Sequence, residues 1–305
     1  MQRDQSFIGL MLMLAFAITA PVIDVFAKLT PDEIPVLQVA ASRFVLQSAL
    51  LLPIALFLGV IHRPAKEEAA LHVLRALLIL IATGAFFQAL RFMPIADAIA
   101  IFFVEPLILT LLGGLLLSEE IGPRRIIACL TGFLGTLLVI RPSFAAFGVA
   151  ALLPLATALL FAFYMLLTRR MAQRMHPVTL QGYTAFAAAL IVTPILIAFS
   201  GSDIAMLTPV LPSAWGWTTL IGVGLAATST HLLLSFALRL APAATIAPLH
   251  YIEIASAAVF GFLVFGDFPE PLTFLGIAII TASGLFVILR ERQLSKVPKV
   301  ATTAK

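Results

Sequence analysis

The chain has 305 residues, of which 61% are hydrophobic and 11% are charged, and its mean hydropathy is +1.10. A soluble domain is about half apolar and a quarter charged, so this composition excludes a soluble globular protein and predicts a chain that lies in lipid. The net charge of +4 would suggest nucleic acid in a soluble protein. Here the basic residues cluster between apolar runs, where membrane topology explains them better. The single cysteine, Cys129, excludes an intrachain disulfide, and no Cys/His cluster has metal-ligand spacing.

Apolar runs long enough to cross about 30 Å of hydrocarbon follow one another along the whole chain. The breaks between them carry turn residues, such as Thr30-Pro31-Asp32-Glu33 and Pro269-Glu270-Pro271. The sequence therefore predicts an all-α membrane protein with ten transmembrane helices. The predicted spans are about 7–29, 35–59, 70–92, 95–117, 124–141, 146–169, 178–199, 214–238, 243–265 and 271–290.

The first span also has an alternative interpretation. Arg3 precedes an apolar segment, and Ala15-Phe16-Ala17 has the small residues of a signal-peptide cleavage site. The apolar run continues past this point to Phe26, however, and a matching segment occurs at 146–169 in the second half of the chain. We therefore expect the first helix to be retained.

The basic residues predict the orientation of the chain in the membrane. With the N-terminus inside, 15 of the 19 Lys and Arg residues fall in inner segments, and Arg75 is one of these. Only Lys28, Arg91 and Arg141 fall in outer segments, and Arg43 lies inside a span. Both termini are therefore expected to be cytoplasmic, and the basic residues 291–305 are expected to form a cytoplasmic tail.

One pattern occurs twice in the chain, at 91–142 and again at 239–290. A shift of 148 positions aligns the two copies and places Glu105 on Glu253. Each copy contains an apolar run with a carboxylate near its middle, a short acidic turn and a second apolar run. A shift of 142 positions extends the repeat to the earlier spans, so we predict two five-helix repeats, 1–142 and 143–290.

Because each repeat has an odd number of spans, the second repeat enters the membrane from the opposite face. The sequence therefore predicts inverted repeats that are related by an axis in the membrane plane. In transporters built this way, the substrate site lies near the bilayer midplane between the two repeats.

Two carboxylates lie deep inside the apolar spans. Glu105 is about ten residues into its span, or roughly 15 Å from the membrane surface, and Glu253 is equally deep from the other side. A charge at this depth costs about 2.5–3.5 kcal/mol on insertion scales, so we predict that both residues are proton or cation sites lining a central cavity. His250, three residues before Glu253 on the same helix face, Tyr251 beside it and Phe102 at the place that matches His250 join this pathway. The alternative is that each carboxyl group is protonated or hydrogen-bonded for packing alone.

A guanidinium is also predicted inside the membrane. Arg43 is about eight residues into the second span, and Gln47 lies one turn further on the same face. Because the second repeat has no basic residue at the matching place, we predict an interior role for Arg43, as a partner for a substrate anion or as a counter-ion for Glu105 or Asp24. The alternatives are that Arg43 snorkels to the outer surface and that Asp24 pairs with Lys28 four residues on.

Tyr164 and His231 lie near the inner ends of their predicted helices. These residue types are typical of an aromatic belt at the membrane interface, and a gate is the other interpretation. Together with Asp24 at the outer end of the first helix, they are the candidate gate residues.

The text of the repeats resembles a known family. The segment MPIADAIAIFFVEPLILTLLGGLLLSEEIGPRR resembles the first EamA-type repeat of the drug/metabolite transporter superfamily, and LAPAATIAPLHYIEIASAAVFGFLVF resembles the second. The likeness covers about 7–290. It implies ten helices in two inverted repeats and the movement of small metabolites across a bacterial cytoplasmic membrane without ATP.

The leading hypothesis is a secondary transporter of a small metabolite that works by alternating access. The chain has no G-x-x-x-x-G-K-[ST] loop, so its energy is expected from a proton or cation gradient or from exchange. We expect no cofactor and no nucleic acid; the lipid bilayer, the metabolite, a coupling ion and a second protomer are the expected partners. The alternative is an intramembrane enzyme that uses His231, His250 and Glu253, although no catalytic motif supports it.

Overall fold

The computed structural model describes residues 2–93, 95–117, 123–139, 148–204 and 207–266, together with Leu275, Ala278, Ile279, Ala282 and Phe286. Within this part of the chain every regular element is a helix. Apart from those five single residues, the predicted tenth span, 271–290, lies outside the described residues.

The chain forms twelve described α-helices and one short 3₁₀-helix, Gly148–Ala151. The α-helices are α1 Gln2–Thr19, α2 Pro21–Leu29, α3 Val36–Phe57, α4 Lys66–Ala89, α5 Ile95–Phe102, α6 Glu105–Leu117, α7 Pro123–Val139, α8 Leu152–Ala172, α9 Pro177–Ala198, α10 Ala214–Leu240, α11 Ala243–His250 and α12 Ile252–Phe265.

Seven stretches of the described chain are long and apolar enough to cross a membrane. They correspond to the first, second, third, sixth, seventh, eighth and ninth predicted spans. Their outward faces are apolar as well, because Leu56, Ile81 and Ile197 are 66%, 54% and 69% exposed. A helix that is apolar on its core side and on its outer side suits lipid rather than water.

The fourth and ninth predicted spans are each interrupted close to their carboxylate. Phe103 and Val104 separate α5 from α6, and Tyr251 separates α11 from α12. Pro106 explains the first interruption, because it has no N–H to bond the Phe102 carbonyl one turn earlier. The consequence is that each second half-helix starts beside its carboxylate, with Glu105 and Glu253 in the first turns of α6 and α12.

Helices from the two halves of the chain pack against each other in matching pairs. The helix α3 packs along α9, α4 packs along α8, and α1 and α2 pack along α10. The interrupted helices also meet, because α5 packs on α12 and α6 packs on α11. This packing brings the two interruptions together in the middle of the protein.

Close approach of α10 to its neighbours depends on glycine. A Cβ atom at Gly224 would lie 2.5 Å from Cδ2 and 2.9 Å from Cβ of Leu46 in α3. A Cβ atom at Gly222 would lie 2.5 Å from the ring of Phe26 in α2. Small residues that allow backbones to approach are a common basis of helix packing in membranes.

We predict that Gly224→Ala destabilises the protein by about 1–3 kcal/mol, since the new methyl group overpacks the α3–α10 contact and Leu46 Cβ cannot move away without its helix. Gly84→Ala is the matched control, because nothing lies within 4 Å of a Cβ atom at Gly84 in α4. Alanine there should be neutral or stabilising by about 0.5–1 kcal/mol. Thermal unfolding in detergent measures both, and equal midpoints would contradict the close contact.

Candidate functional site

A histidine lies between two carboxylates where the interrupted helices meet. The Nδ1 atom of His250 is 2.7 Å from Oε2 of Glu105, a hydrogen bond that joins α11 to α6. Its Nε2 atom is 2.9 Å from Oε2 of Glu253 in α12, an ion-pair distance. All three residues are buried, and Glu105 is fully inaccessible.

The two contacts of His250 are not equivalent. The contact with Glu105 is an aligned hydrogen bond. The Nε2 atom of His250 and the facing Oε2 atom of Glu253 are close, but neither makes an aligned hydrogen bond within the described residues. Oε1 of Glu105 also lacks a hydrogen-bond partner there. The group therefore has one aligned hydrogen bond, to Glu105, and one looser contact, to Glu253. Its carboxylate oxygens can still accept further hydrogen bonds.

Helix N-termini and aromatic rings surround this group. Glu105 and Glu253 each lie in the first turn of a helix, where the positive end of the helix dipole stabilises a carboxylate by about 0.3–1 kcal/mol. The ring of His250 packs among phenylalanines, with centroid distances of 5.4 Å to Phe16 and 5.7 Å to Phe102. The apolar surroundings strengthen the attraction between an imidazolium and its two carboxylates, because they exclude water.

A cavity of about 80 Å³ lies beside this group. Phenylalanines from four helices form much of its wall: Phe16, Phe86, Phe87, Phe102 and Phe161. Its polar wall consists of Asp24, Arg43, Thr83, Thr157, His231, His250 and Glu253. The site thus combines flat apolar surfaces with charges of both signs.

Arg43 lies on the cavity wall with neutral partners. Its Nη1 atom donates a 2.6 Å hydrogen bond to Oγ1 of Thr83, and its Nη2 atom is 2.6 Å from Nε2 of His231. The guanidinium lies 5.0 Å from the centroid of the Phe44 ring. No carboxylate oxygen of the described residues lies within 4 Å of Arg43, and its Nε atom has no hydrogen-bond partner there.

Asp24 also lies on the cavity wall, in α2. The structure does not place it in the ion pair with Lys28 that was one interpretation of the sequence. Lys28 Nζ instead lies 5.3 Å from the centroid of the Phe265 ring. Asp24 is only 8% exposed, and within the described residues it forms no hydrogen bond or ion pair.

Beside the cavity, hydrogen bonds of Tyr164 join α8, α9 and α10. Its hydroxyl oxygen is 3.2 Å from Nδ1 of His231 in α10 and accepts a 2.9 Å hydrogen bond from Nε2 of Gln181 in α9. Gln181 Nε2 also donates to Oγ of Ser235, at 2.5 Å. Because His231 also contacts Arg43, this network is continuous with the cavity wall.

Arg75 completes the network, and its position corrects the count of inner basic residues. It lies in α4 and is fully buried, so it is not a loop charge. Nε and Nη2 donate to Oγ1 of Thr168, Nη1 donates to Oγ1 of Thr184 and to the Leu180 carbonyl, and the guanidinium lies 4.7 Å from the centroid of the Tyr164 ring. No carboxylate lies within 4 Å of it among the described residues.

The predicted pathway residues thus fall into two groups. Glu253, His250, Arg43, Phe102, Asp24 and His231 line the cavity, and Glu105 contacts it through His250. Tyr164 is buried behind His231. Gln47 and Tyr251 are buried but are not among the lining residues, and the Tyr251 hydroxyl has no hydrogen-bond partner within the described residues.

Sequence reasoning missed Arg75, His72 and the partners of Gln181. His72 is 3% exposed, and its Nδ1 atom is 3.3 Å from Oγ1 of Thr184. The available signal was the spacing of His72 and Arg75, which places both on one face of α4. Their position in the first turns of a predicted span made them look like loop residues.

A second depression, of about 250 Å³, opens at the ends of α2 and α4. Lys28, Asp32 and Arg91 line it, and Phe87 lines both this depression and the cavity. Arg91 forms an ion pair with Asp32 and donates a 2.9 Å hydrogen bond to the Ile34 carbonyl. Phe87 is therefore the one described residue that lines both spaces.

We predict that His250→Phe, which reproduces the phenylalanine at position 102, destabilises the protein by about 3–5 kcal/mol, because it leaves two buried carboxylates without their shared cation. Adding Glu105→Gln to this variant should recover part of the loss. Thermal unfolding in detergent measures the cycle.

The control is His62→Phe, which removes the half-exposed 2.8 Å contact with Glu68. An exposed pair contributes about 0–1 kcal/mol, so this change should be small. A loss in His250→Phe no larger than that in His62→Phe would show that the central group does not stabilise the fold.

Two named relatives cover most of the chain. A riboflavin transporter of Vibrio cholerae serotype O1 is 29% identical over 265 residues, which cover 86% of this chain and 86% of the relative. An S-adenosylmethionine uptake transporter of Rickettsia prowazekii is 25% identical over 285 residues, which cover 93% of this chain and 94% of the relative.

A solved crystal structure has the same fold, with a TM-score of 0.70 and 18% sequence identity over 95% of this chain and 98% of that chain. The profile of the EamA-like transporter family matches residues 7–141 and 148–289. With its seven apolar helices, the chain is a multi-pass membrane transporter that belongs to the EamA-like transporter family, as the text of its repeats predicts.

Proposed function

We propose that this protein is a secondary transporter that moves a small metabolite by alternating access, driven by an ion gradient or by exchange. The observation that carries the proposal is the cavity, which is lined by helices from both halves of the chain and joined through His250 to the buried carboxylate of Glu105. Oppositely charged groups around a space in a membrane protein are typical of a substrate and ion pathway.

The proposed architecture has two inverted five-helix repeats, 1–142 and 143–290, with both termini at the inner face of the bacterial cytoplasmic membrane. The matching helix pairs support it: α1 and α2 pack on α10 as α8 packs on α4, and the two interrupted helices pack on each other. The excess of basic residues in the predicted inner loops supports the orientation.

The network around Tyr164 is the proposed inner barrier. Arg75 lies in the first half of α4, and Tyr164 and His231 lie in the second halves of α8 and α10, so all three are on the inner side of the helix midpoints in the orientation that we assign. The cavity holds about 80 Å³, less than the roughly 300–1,000 Å³ of typical ligand sites. We therefore assign this conformation to a contracted state that is closed towards the inner face.

Glu105, His250 and Glu253 are the proposed site of a coupling proton. Glu253 and His250 line the cavity, whereas Glu105 is fully buried behind them. A proton that arrives at Glu253 can pass through the imidazole to Glu105 once the looser contact between Nε2 and Glu253 aligns, because one ring nitrogen lies next to each carboxylate. Movement of this proton changes which carboxylate is negatively charged. The attraction of these carboxylates to His250 joins the two interrupted helices.

The substrate is proposed to be a metabolite with a flat ring. The names of the two relatives include riboflavin and S-adenosylmethionine, which both contain fused heteroaromatic rings. Phenylalanine side chains on the cavity wall suit such rings, since aromatic groups attract one another at centroid distances of about 4.5–7 Å.

The alternative of an intramembrane enzyme gains no support from the contacts. His231 contacts Arg43 and Tyr164 through its two ring nitrogens, whereas His250 contacts Glu105 and Glu253. The three residues of that hypothesis therefore belong to separate hydrogen-bonded groups, and neither group includes a candidate nucleophile next to a base.

We predict that Glu105→Gln and Glu253→Gln each lower transport in proteoliposomes by about a hundredfold or more, because an amide cannot exchange the proton. Uptake of riboflavin and of S-adenosylmethionine driven by an imposed pH gradient is the measurement. Glu33→Gln, in an exposed loop, is the matched control. Wild-type gradient-driven uptake by both site variants, at equal membrane insertion, would exclude the proposed proton site.

A second prediction concerns the inner barrier. Thr157→Cys in a Cys129→Ser background places one thiol on the cavity wall. We predict that Arg75→Gln or Tyr164→Phe increases its labelling by a membrane-impermeant thiol reagent from the inner face roughly tenfold, because hydrogen bonds worth about 1–3 kcal/mol no longer join α4, α8 and α9.

Arg174→Gln is the control for this experiment, since Arg174 is an exposed arginine on the same face. Its labelling should equal that of the background protein. Inner labelling that stays unchanged in Arg75→Gln and Tyr164→Phe would exclude the network as the barrier.

A further inference from the structure

The cavity wall carries a carboxylate that has no ion-pair partner within 4 Å among the described residues. Asp24 is 8% exposed and lines the cavity, yet no described residue forms an ion pair or a hydrogen bond with it. Lys28, one turn further along α2, lies on the ring of Phe265 instead. A carboxylate that faces an enclosed space in this way has its acceptor sites open towards that space.

The same wall carries a guanidinium that has no carboxylate within 4 Å in the described part of the chain. Arg43 is 4% exposed, its two terminal nitrogens contact Thr83 and His231, and its Nε atom has no hydrogen-bond partner within the described residues. Arginine presents five donors in a planar fork that matches a carboxylate. Arg43 can therefore still donate hydrogen bonds to a ligand at this part of the wall.

Asp24 and Arg43 attract each other, but they do not form an ion pair, so both side chains are available to a ligand. Each side chain lines the cavity, but no ion pair within 4 Å joins Asp24 to Arg43. A buried charge without a partner is costly, and a ligand that supplies the opposite charge removes that cost. A ligand with one charge could satisfy only one side and would be repelled by the other.

Two carboxylates line the cavity. Glu253 lines the same cavity as Asp24, and α2 packs on α12, so both carboxylates come from neighbouring helices. Glu253 shares His250 with Glu105, whereas no cationic nitrogen of a described residue lies within 4 Å of Asp24. Asp24 is therefore the acid that remains for a cationic group of the ligand.

We propose that the transported metabolite is dipolar: a cationic group binds at Asp24, a carboxylate or similar anionic group binds at Arg43, and a flat ring packs among Phe16, Phe86, Phe102 and Phe161. This inference rests on the proposed transport function and narrows its substrate class. It favours a ring compound with an amino-acid-like group over an uncharged ring compound.

Three probe ligands distinguish recognition of the charged groups from recognition of the ring. S-adenosylmethionine carries an ammonium, a sulfonium and a carboxylate on an adenine nucleoside. 5′-Methylthioadenosine has the same nucleoside and sulfur without these charges, and riboflavin is a larger uncharged flat ring. Binding to the full-length protein in detergent is measured by ligand-dependent thermal stabilisation, and counterflow is measured in proteoliposomes.

We expect S-adenosylmethionine to bind at least tenfold more tightly than either uncharged probe. Asp24→Asn and Arg43→Gln should each weaken its binding about tenfold while changing the binding of 5′-methylthioadenosine less than twofold. A general loss of folding would affect both probes equally. Asp203→Asn and Arg174→Gln, which change exposed residues of the same types, are the matched controls.

Three outcomes would overturn the inference. One is binding of riboflavin or 5′-methylthioadenosine as tight as that of S-adenosylmethionine. Another is unchanged S-adenosylmethionine binding in Asp24→Asn, which is the result expected if Asp24 is simply protonated. The third is no binding of any probe. Alternating access is judged separately by labelling of Thr157→Cys, so these outcomes leave the proposed transport function standing.

Discussion

The cost of burying charge in an apolar interior governs the centre of this protein. Glu105, His250 and Glu253 meet that cost together, because one imidazole contacts a carboxylate on each side. The backbone contributes as well, since both carboxylates lie in the first turns of half-helices. The stabilisation of the two carboxylates therefore depends on the interruptions of the two spans. Without the interruptions, neither carboxylate would lie at a helix N-terminus.

The two arginines of the interior are held differently from the carboxylates. Arg43 and Arg75 have hydroxyl, imidazole, carbonyl and aromatic partners, and neither has a carboxylate within 4 Å among the described residues. Neutral partners satisfy the donors without neutralising the charge. His231 and Tyr164 lie between the two guanidiniums, so a continuous series of contacts connects Arg43 to Arg75.

Much of this arrangement follows from the sequence because it depends on spacing along one helix. Helix-length apolar runs predict the spans, the repeat predicts that Glu105 and Glu253 are equivalent, and three-residue spacing predicts that His250 and Glu253 share a face. The contact between His250 and Glu105 could not be predicted in this way. It depends on how α6 and α11 pack, and no local pattern encodes that distance.

The same reasoning explains what the sequence did not reveal. Arg75 lies near the start of the predicted span, where an arginine usually faces water, but it is in the third turn of α4, and its burial depends on Thr168 and Thr184 from two other helices. Lys28 is correctly spaced for an ion pair with Asp24, but the ring of Phe265 competes for it. In both cases a partner from a distant part of the chain overrides the local pattern.

The glycines of α10 have a consequence for how the protein can move. Gly222 and Gly224 let α10 approach Phe26 in α2 and Leu46 in α3 so closely that no free space remains in these contacts. Closely packed surfaces of this kind slide poorly, because any displacement forces atoms to overlap. The helices α2, α3 and α10 should therefore travel as a single rigid body, and relative motion is left to the looser junctions between the half-helices.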